Sequence, residues 1–330
     1  MKVNFLLLPK VLMTEESEPF LKFEPIYQTR VWGGRTLESQ FGRQLPDTES
    51  PFGESWEISA REEADCVVSN GPLRGKSLTS IWQSPETRRE IFGPSAPDQE
   101  RFPLLCKILD ARSKLSIQVH PPADLAGELG GEPKSEAWYI ADADPDAKLY
   151  VGVRKGVTKT SFREAMENGT LEEQVHAISV KAGDYIYIPS GRLHAIGAGV
   201  LIYEIQQNSD TTFRVFDWNR VGLDGKPRDL HIEESMKCID FDDSEPGMDQ
   251  AVGNVLCECD HFRMEKHTLS AEVGLNQALG KRFGIVTVVS GALGIGDDTF
   301  EEGSFFLVPH DVDAGGFTGT AEVILTLWPE

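Results

Sequence analysis

Cysteine is scarce: there are five in 330 residues, and Cys66, Cys106, Cys238, Cys257 and Cys259 are too scattered for a disulfide framework. That scarcity points to a reducing, cytoplasmic compartment. The C-x-C at Cys257 and Cys259 has no second pair, which argues against a zinc ribbon and for alternate positions of a strand. Long apolar runs are missing too. Nothing approaches the roughly 20 residues of a membrane span, and FLLLP at Phe5 to Pro9 lacks the length and cleavage site of a signal core. Residues 1–20 read as an N-terminal tail, with Met13 an alternative start. Basic residues are outnumbered, 32 against 53 acidic, for a net charge of −21. Such a chain lacks the clustered cations that bind nucleic acid or an anionic membrane. A small anionic substrate stays open, because a pocket can gather local cations. Neither a Walker loop nor a G-x-G-x-x-G strand–helix turn is present, so nucleotide binding has no support.

What is present is mainly β-structure. KLSIQVH, AWYIA, KLYVGV, DYIYIP, GVLIYEIQQ, GIVTVVSGALGIG, SFFLVP and AEVILTLW are rich in β-branched and aromatic residues and bounded by turn formers. Helical signals are local. Residues 77–90 suit one or two short helices; Ser161 and Glu164 have capping-box spacing with Gly169 as a stop, and Thr170 with Glu173 opens another. A repeat sharpens the pattern: Gly183 to Pro189 and Gly303 to Pro309 share a G-x5-P frame of turn, strand and proline stop. The first copy continues to His194 as G-x5-P-x-G-x2-H, the pattern of the cupin superfamily, whose histidine ligates metal. The second has Ala314 at that place. The expected fold is therefore mainly β: two cupin-like jelly-roll barrels with short helical insertions, one with metal and one without. The boundary falls in the acidic DFDDSEPGMDQ, giving a tail (1–20), a catalytic barrel (21–243) and a degenerate barrel (244–330).

The strongest chemical signal is SIQVHP, from Ser116 to Pro121. Strand side chains alternate, so Ser116, Gln118 and His120 share one face and Ile117 and Val119 the other. Lys134 and Glu136 share a face at the start of the next strand, and His194 follows the cupin proline. Two imidazoles, a carboxylate and an amide oxygen make a four-ligand set for Zn²⁺ with room for substrate. Alone, a histidine in a strand is more often a core residue than a ligand, and Glu136 reads as a solvated strand end; the joint occurrence favours metal. His176, His231, His261, His267 and His310 have no such partners. Further on, Glu204 interrupts the apolar run VLIYEIQQ. A carboxylate there is paired with a cation or poised, by a raised pKa, for proton transfer. Arg214 and Arg220, six apart around VFDWN, suit a phosphate or an oxyanion, or simple surface salt bridges.

At these residues the sequence resembles the type I mannose-6-phosphate isomerase (phosphomannose isomerase) family in its short bacterial form, from about Phe23 to the C-terminus. The blocks that carry the likeness are WGG at Trp32, GESWEIS at Gly53, SIQVHP and GELGGEPKSEAWYI. The long run from Ile188 to Arg220 and the later RDLH complete them. The resemblance implies zinc ligands at Gln118, His120, Glu136 and His194, a catalytic arginine at Arg214 and a general base at Glu204. It implies substrate or phosphate contacts at Ser116, Lys134 and Arg220. The chain departs from longer relatives in having PKSE (Pro133 to Glu136) for H-K-P-E. It also has RVFDWNR (Arg214 to Arg220) for R-A-G-x-T-P-K, which places Arg220 where those relatives end in lysine.

The implied activity is aldose–ketose isomerisation of mannose 6-phosphate and fructose 6-phosphate through an enediol, with one Zn²⁺ per chain. The alternatives are another metal-dependent cupin, isomerase or oxygenase, and a non-catalytic sugar-phosphate sensor. The sensor is disfavoured by the retention of His120, Glu136, His194 and Arg214. Oligomeric state is open. The charge is unevenly spread: residues 1–100 carry −5, residues 101–230 only −2, and residues 231–330 carry −14. The stretch with every candidate site residue is nearly neutral.

Overall fold

The computed structural model describes residues 20–94, 96–270, 274–312 and 318–329. The expected tail up to residue 19, and Ala314 of the second frame, lie outside them. The chain divides into two compact units, each discontinuous in sequence: residues 25–59 with 103–257, and residues 1–24 with 60–102 and 258–330. The sequence reading places residues 60–102 within a single catalytic barrel of residues 21–243 with short helical insertions. The contacts group that stretch with the C-terminal strands instead. Phe92 packs edge-on against Phe283 at 5.3 Å, and the His310 N–H bonds to the Ile91 carbonyl.

The 25–59/103–257 unit is built from two antiparallel sheets. One has the order Ile26–Gly34, Phe52–Ile58, Leu104–Ala111, Val200–Gln207, Glu136–Ala143, Tyr185–Ile188. The other runs Phe213–Phe216, Ile117–Val119, His194–Ile196, Lys148–Val153, Val175–Ser179. Alternation gives each strand two chemistries. Val119 and Ile117 turn outward into a cluster with Phe162, Leu171, Phe213 and Met236, covered by the helices Lys159–Asn168 and Ile232–Cys238. The inner face is apolar along part of its length, with Trp32, Leu109, Ile140, Leu149, Ile196, Val200 and Ile202 packed together. Beyond this layer the same strands carry Lys107, Glu136, His194 and Glu204, all buried.

The other unit pairs Arg263–Ser270, Thr318–Leu327, Gly284–Ile295 and Asp298–Glu301 in that order, with Phe305–Val308 also paired to Gly284–Ile295. Its interior is filled: Phe20, Phe300 and Phe306 lie 4.1–5.8 Å apart, ringed by Val286, Val288, Val323 and Leu325. The two G-x5-P frames fold alike. Gly183 and Gly303 both take left-handed φ, at 89° and 81°, and each leads into a four-residue strand, Tyr185–Ile188 or Phe305–Val308.

The expected helices form, with two changes. Residues 77–90 hold two, Leu78–Gln83 and Pro85–Phe92, capped by Ser77 and Ser84. The capping box of Lys159–Asn168 pairs Thr158 with Ser161, one turn earlier than Ser161 with Glu164, while Gly169 ends the helix at φ 72° as expected. Thr170 makes no side-chain cap, and Leu171–Gln174 is a single 3-10 turn. Among the described residues no helix is long and apolar enough to cross a membrane.

Candidate active site

Strand register assembles the site. In one sheet His194 lies opposite Gln118, and Gln118 lies opposite Arg214 on its other side, so three strands place them in a row. In the other, Glu204 sits between Trp138 and Lys107, and Glu136 opposite Gln206. Between the sheets is a cavity of about 380 Å³ lined by Ser116, Gln118, Lys134, Glu136, His194, Glu204 and Arg214.

His120, Glu136 and His194 are each about 1% exposed and bring their ligand atoms within 4.8 Å of one another. Glu136 Oε2 is 3.3 Å from His120 Nε2, and its Oε1 is 3.5 Å from His194 Nε2. Both histidines are oriented from behind. His120 Nδ1–H donates to the Thr211 carbonyl and His194 Nδ1–H to the Arg192 carbonyl, each at 2.9 Å. A carbonyl only accepts, so each Nε2 carries its lone pair into the site. His120 Nε2 is buried and has no hydrogen-bond partner. Burial and the Lys134 charge depress the His120 pKa to about 3, keeping the imidazole neutral, as a ligand must be. An orphaned, neutral, buried donor in a two-nitrogen, one-carboxylate cluster fits a divalent metal ion of the zinc type. Gln118 stands beside it, with its amide 3.2 Å from His194 Nε2 and its Oε1 accepting from Ser116 Oγ at 3.1 Å. A half-turn of the amide exchanges nitrogen for oxygen and gives the cluster a fourth donor.

Glu204 is 3% exposed. Trp138 Nε1 donates to its Oε1 at 3.0 Å, and Lys107 Nζ stands 3.6 Å from Oε2. Burial raises its pKa, the nearby Glu136 charge raises it further, and Lys107 and Lys134 hold the rise to about 7. Both sequence readings of Glu204 therefore meet in one geometry: it is ion-paired, and its pKa stands where a carboxylate exchanges protons at neutral pH. Glu54, two strands away, shows the opposite balance. Burial alone would raise it, but Lys107, Arg30 and the Trp56 indole lower it to about 2. Lys134 lies 3.1 Å from Glu136 Oε2, and despite burial that charge holds its ammonium above the ordinary lysine range.

Comparison with known proteins matches this arrangement to one family. A family model described as phosphomannose isomerase type I, catalytic domain, matches residues 20–163. Mannose-6-phosphate isomerase ManA of Bacillus subtilis is 36% identical over 326 residues, spanning 94% of this chain and 99% of ManA. The chain belongs to the type I phosphomannose isomerase family. A mannose-6-phosphate isomerase of Streptococcus mutans is 35% identical over 309 residues, 89% of this chain and 94% of that protein. The crystal structure of the Bacillus subtilis mannose 6-phosphate isomerase superposes with a TM-score of 0.78 at 31% identity, covering 93% of this chain and 99% of that one. A zinc-bound mannose 6-phosphate isomerase structure shares the fold at a TM-score of 0.70 and 16% identity, over 94% and 100% of the two chains. The fold is thus the cupin-type, mainly β fold of phosphomannose isomerases.

Within this family member, Ser116, Gln118, His120, Lys134, Glu136, His194, Glu204 and Arg214 come together around one cavity or the candidate metal cluster beside it. Arg220 does not. Its guanidinium is taken up by Asp217, at 3.0 and 2.8 Å, and by the Lys114 carbonyl, and it is not among the residues lining the cavity. Spacing from Arg214 placed it at the site; the turn after Asp217 sends it elsewhere. The sequence reading also passed over Arg30, Glu54, Lys107, Asp210 and Arg228, which line the cavity. Lys107 had a signal: it is a charge within the fully buried strand LLCKILDA, an anomaly like the one that singled out Glu204.

Proposed function

We propose that this chain interconverts mannose 6-phosphate and fructose 6-phosphate through an enediol, as a cytoplasmic zinc enzyme with one metal ion per chain. The carrying observation is the buried His120–Glu136–His194 cluster beside Glu204, in a chain matched along nearly its whole length to mannose-6-phosphate isomerases.

The reaction moves one proton from the carbon-2 hydroxyl to the carbon-1 oxygen, and another from carbon-2 to carbon-1 of the open-chain sugar. Glu204 moves the second. Trp138 ties down Oε1, so Oε2, on the Lys107 side, is the atom that takes and returns the proton. A pKa near 7 lets the same group act as base on one carbon and acid on the other. His120, Glu136 and His194, with Gln118 as a fourth donor, would hold a zinc ion, which when bound would supply Lewis-acid polarisation of the sugar oxygens. Arg214 supports the same oxygens: its Nε is buried without a hydrogen-bond partner, while Nη1 is anchored on the Asp229 carbonyl at 2.9 Å. Ser116 and Lys134 line the cavity and orient the substrate.

A coupled assay for fructose 6-phosphate formed from mannose 6-phosphate, run with and without a chelator, tests the reading. Activity lost on chelation and restored by zinc is expected. His120→Ala should lose both metal, by elemental analysis, and turnover. Turnover of glucose 6-phosphate alone would point to a different cupin isomerase, and chelator-resistant activity would remove zinc from the proposal.

A further inference from the structure

The charges around the cavity separate by sign. Beside the metal-ligand cluster, Arg30, Lys107 and Lys134 meet four carboxylates: Glu54, Glu136, Glu204 and Asp210. These cations are spoken for: Arg30 is bidentate on Glu54, Lys107 sits among Glu54, Glu204 and Asp210 at 3.6–4.0 Å, and Lys134 pairs with Glu136. That side suits a cation. On the far side of Gln118 from His194 the balance reverses. Arg214 and Arg228 line the cavity there, Arg220 lies behind them, and Asp217 and Asp229 are the carboxylates that act on Arg214. In a chain of net charge −21, this local positive excess marks a seat for an anion.

The backbone is bent to build it. Trp218 and Asn219 both adopt left-handed φ, at 57° and 54°, which is rare for a non-glycine residue and rarer for a bulky one. Trp218 is held there by its Nε1–H bond to the Leu115 carbonyl, 2.6 Å, and by the Lys114 ammonium 4.2 Å over its ring. The turn is followed by a loop closed by a bridge between Val221 and Pro227, which brings Arg228 back onto Asp217 at 2.7 and 2.5 Å. Arg220 clamps the loop from behind. Arg228 uses Nε and Nη2 on Asp217, leaving its remaining nitrogen, Nη1, with no hydrogen bond among the described residues, on a side chain that lines the cavity.

We propose that Arg228, oriented by Asp217 and the Trp218–Asn219 turn, is the residue that grips the substrate phosphate, in the role the sequence assigned to Arg220. Arg220 is a positioning residue. The inference rests on the sugar-phosphate reading above and adds the residue that selects for phosphate.

The test uses zinc-loaded enzyme and two readouts. The first is KM and kcat for mannose 6-phosphate; the second is the rise in Tm given by inorganic phosphate, which needs no turnover. Arg228→Met removes a charge-assisted contact, so KM should rise roughly 10- to 100-fold while kcat stays within a few-fold. The phosphate-induced rise in Tm should vanish. Arg228→Lys should recover part of both, because it restores the charge without the fork. Asp217→Asn should follow Arg228→Met in weaker form, and Lys226→Met, which removes an exposed cation from the same loop, should change neither. Should Arg228→Met not fold, Arg228→Lys carries the comparison, with a raised KM expected. An unchanged KM and phosphate response in the Arg228 variants, or a larger effect in Arg220→Met, overturns the assignment. A wild-type enzyme inert on mannose 6-phosphate overturns the sugar-phosphate reading instead, so the two failures are distinct.

Discussion

Replacing Glu204 by glutamine should make the protein more stable and nearly inactive, and the size of the first effect follows from the site. Glu204 is fully enclosed, with a pKa of about 7 against an ordinary value near 4.5. A carboxyl whose pKa is raised on folding binds its proton more tightly in the native state, so it costs stability once the pH exceeds the unfolded value. The cost grows from about pH 4.5, reaches its full extent above pH 7 and is absent in acid. A shift of roughly 2.5 pH units corresponds to about 3 kcal/mol. Glutamine has nearly the same shape and no charge, and its carbonyl can still accept the Trp138 Nε1–H bond. Glu204→Gln should therefore be stabilised relative to wild type by about 3 kcal/mol at pH 8 and by under 1 kcal/mol at pH 5.

Urea unfolding at the two pH values measures this, on chelated protein so that Glu136 keeps its full repulsive charge. The same variant should retain zinc and lose on the order of 10²–10⁴-fold in kcat, the usual worth of a positioned acid–base group. A stability gain that does not grow with pH would refute the electrostatic argument. Near wild-type turnover would remove Glu204 as the proton carrier, whatever its pKa.

Two further perturbations follow from the same geometry. Lys107→Met removes the ammonium 3.6 Å from Glu204, which lowers the Glu204 pKa, so the acid limb of the kcat/KM profile should move to higher pH; an unmoved limb would mean that another group sets it. In the other unit, Gly93 ends the helix Pro85–Phe92 at φ +75°, and an added Cβ would come within 2.4 Å of the His310 ring. Gly93→Ala combines strain with overlap and should cost about 2 kcal/mol or more in chemical unfolding; a loss below about 0.5 kcal/mol would show that His310 yields freely.

How legible the site was in the sequence depended on whether alternation or folding-back placed a residue. His120, Glu136 and His194 were readable because polar side chains at strand positions between apolar ones must converge on something. Glu204 and Lys107 carry a related signal, a charge set directly between apolar neighbours in a buried strand. Arg228 was not readable. A spacing rule counts along the chain, and nothing in RVFDWNRVGLDGKPR says that Trp218 and Asn219 take left-handed φ and turn Arg220 away while returning Arg228. The grouping of residues 60–102 with the C-terminal strands was hidden for a similar reason, since helices Leu78–Gln83 and Pro85–Phe92 reveal by sequence only that they need an apolar partner, not which one.

The register of Val200–Gln207 shows how little separates a working site from a dead one. On one face of this strand Val200 and Ile202 join the apolar layer, while Glu204 lines the cavity and Gln206 stands opposite Glu136. On the other face Leu201, Tyr203 and Ile205 are buried as well. With both faces apolar, hydrophobic pattern alone does not choose the register, and a slip of one residue would put Tyr203 in place of Glu204. The choice is made by the partners. Pairing with Glu136–Ala143 contains an irregularity between Leu201 and Ile202, after which Glu204 stands opposite Trp138, within reach of its indole N–H, and opposite Lys107 on the other side. A slipped strand would take Glu204 away from the Trp138 indole N–H and from Lys107, which would then face only Glu54 and Asp210 of its three carboxylates. The groups that make Glu204 useful for proton transfer are thus also the groups that hold it in register, and for that reason Lys107→Met should broaden the unfolding transition as well as move the pH profile.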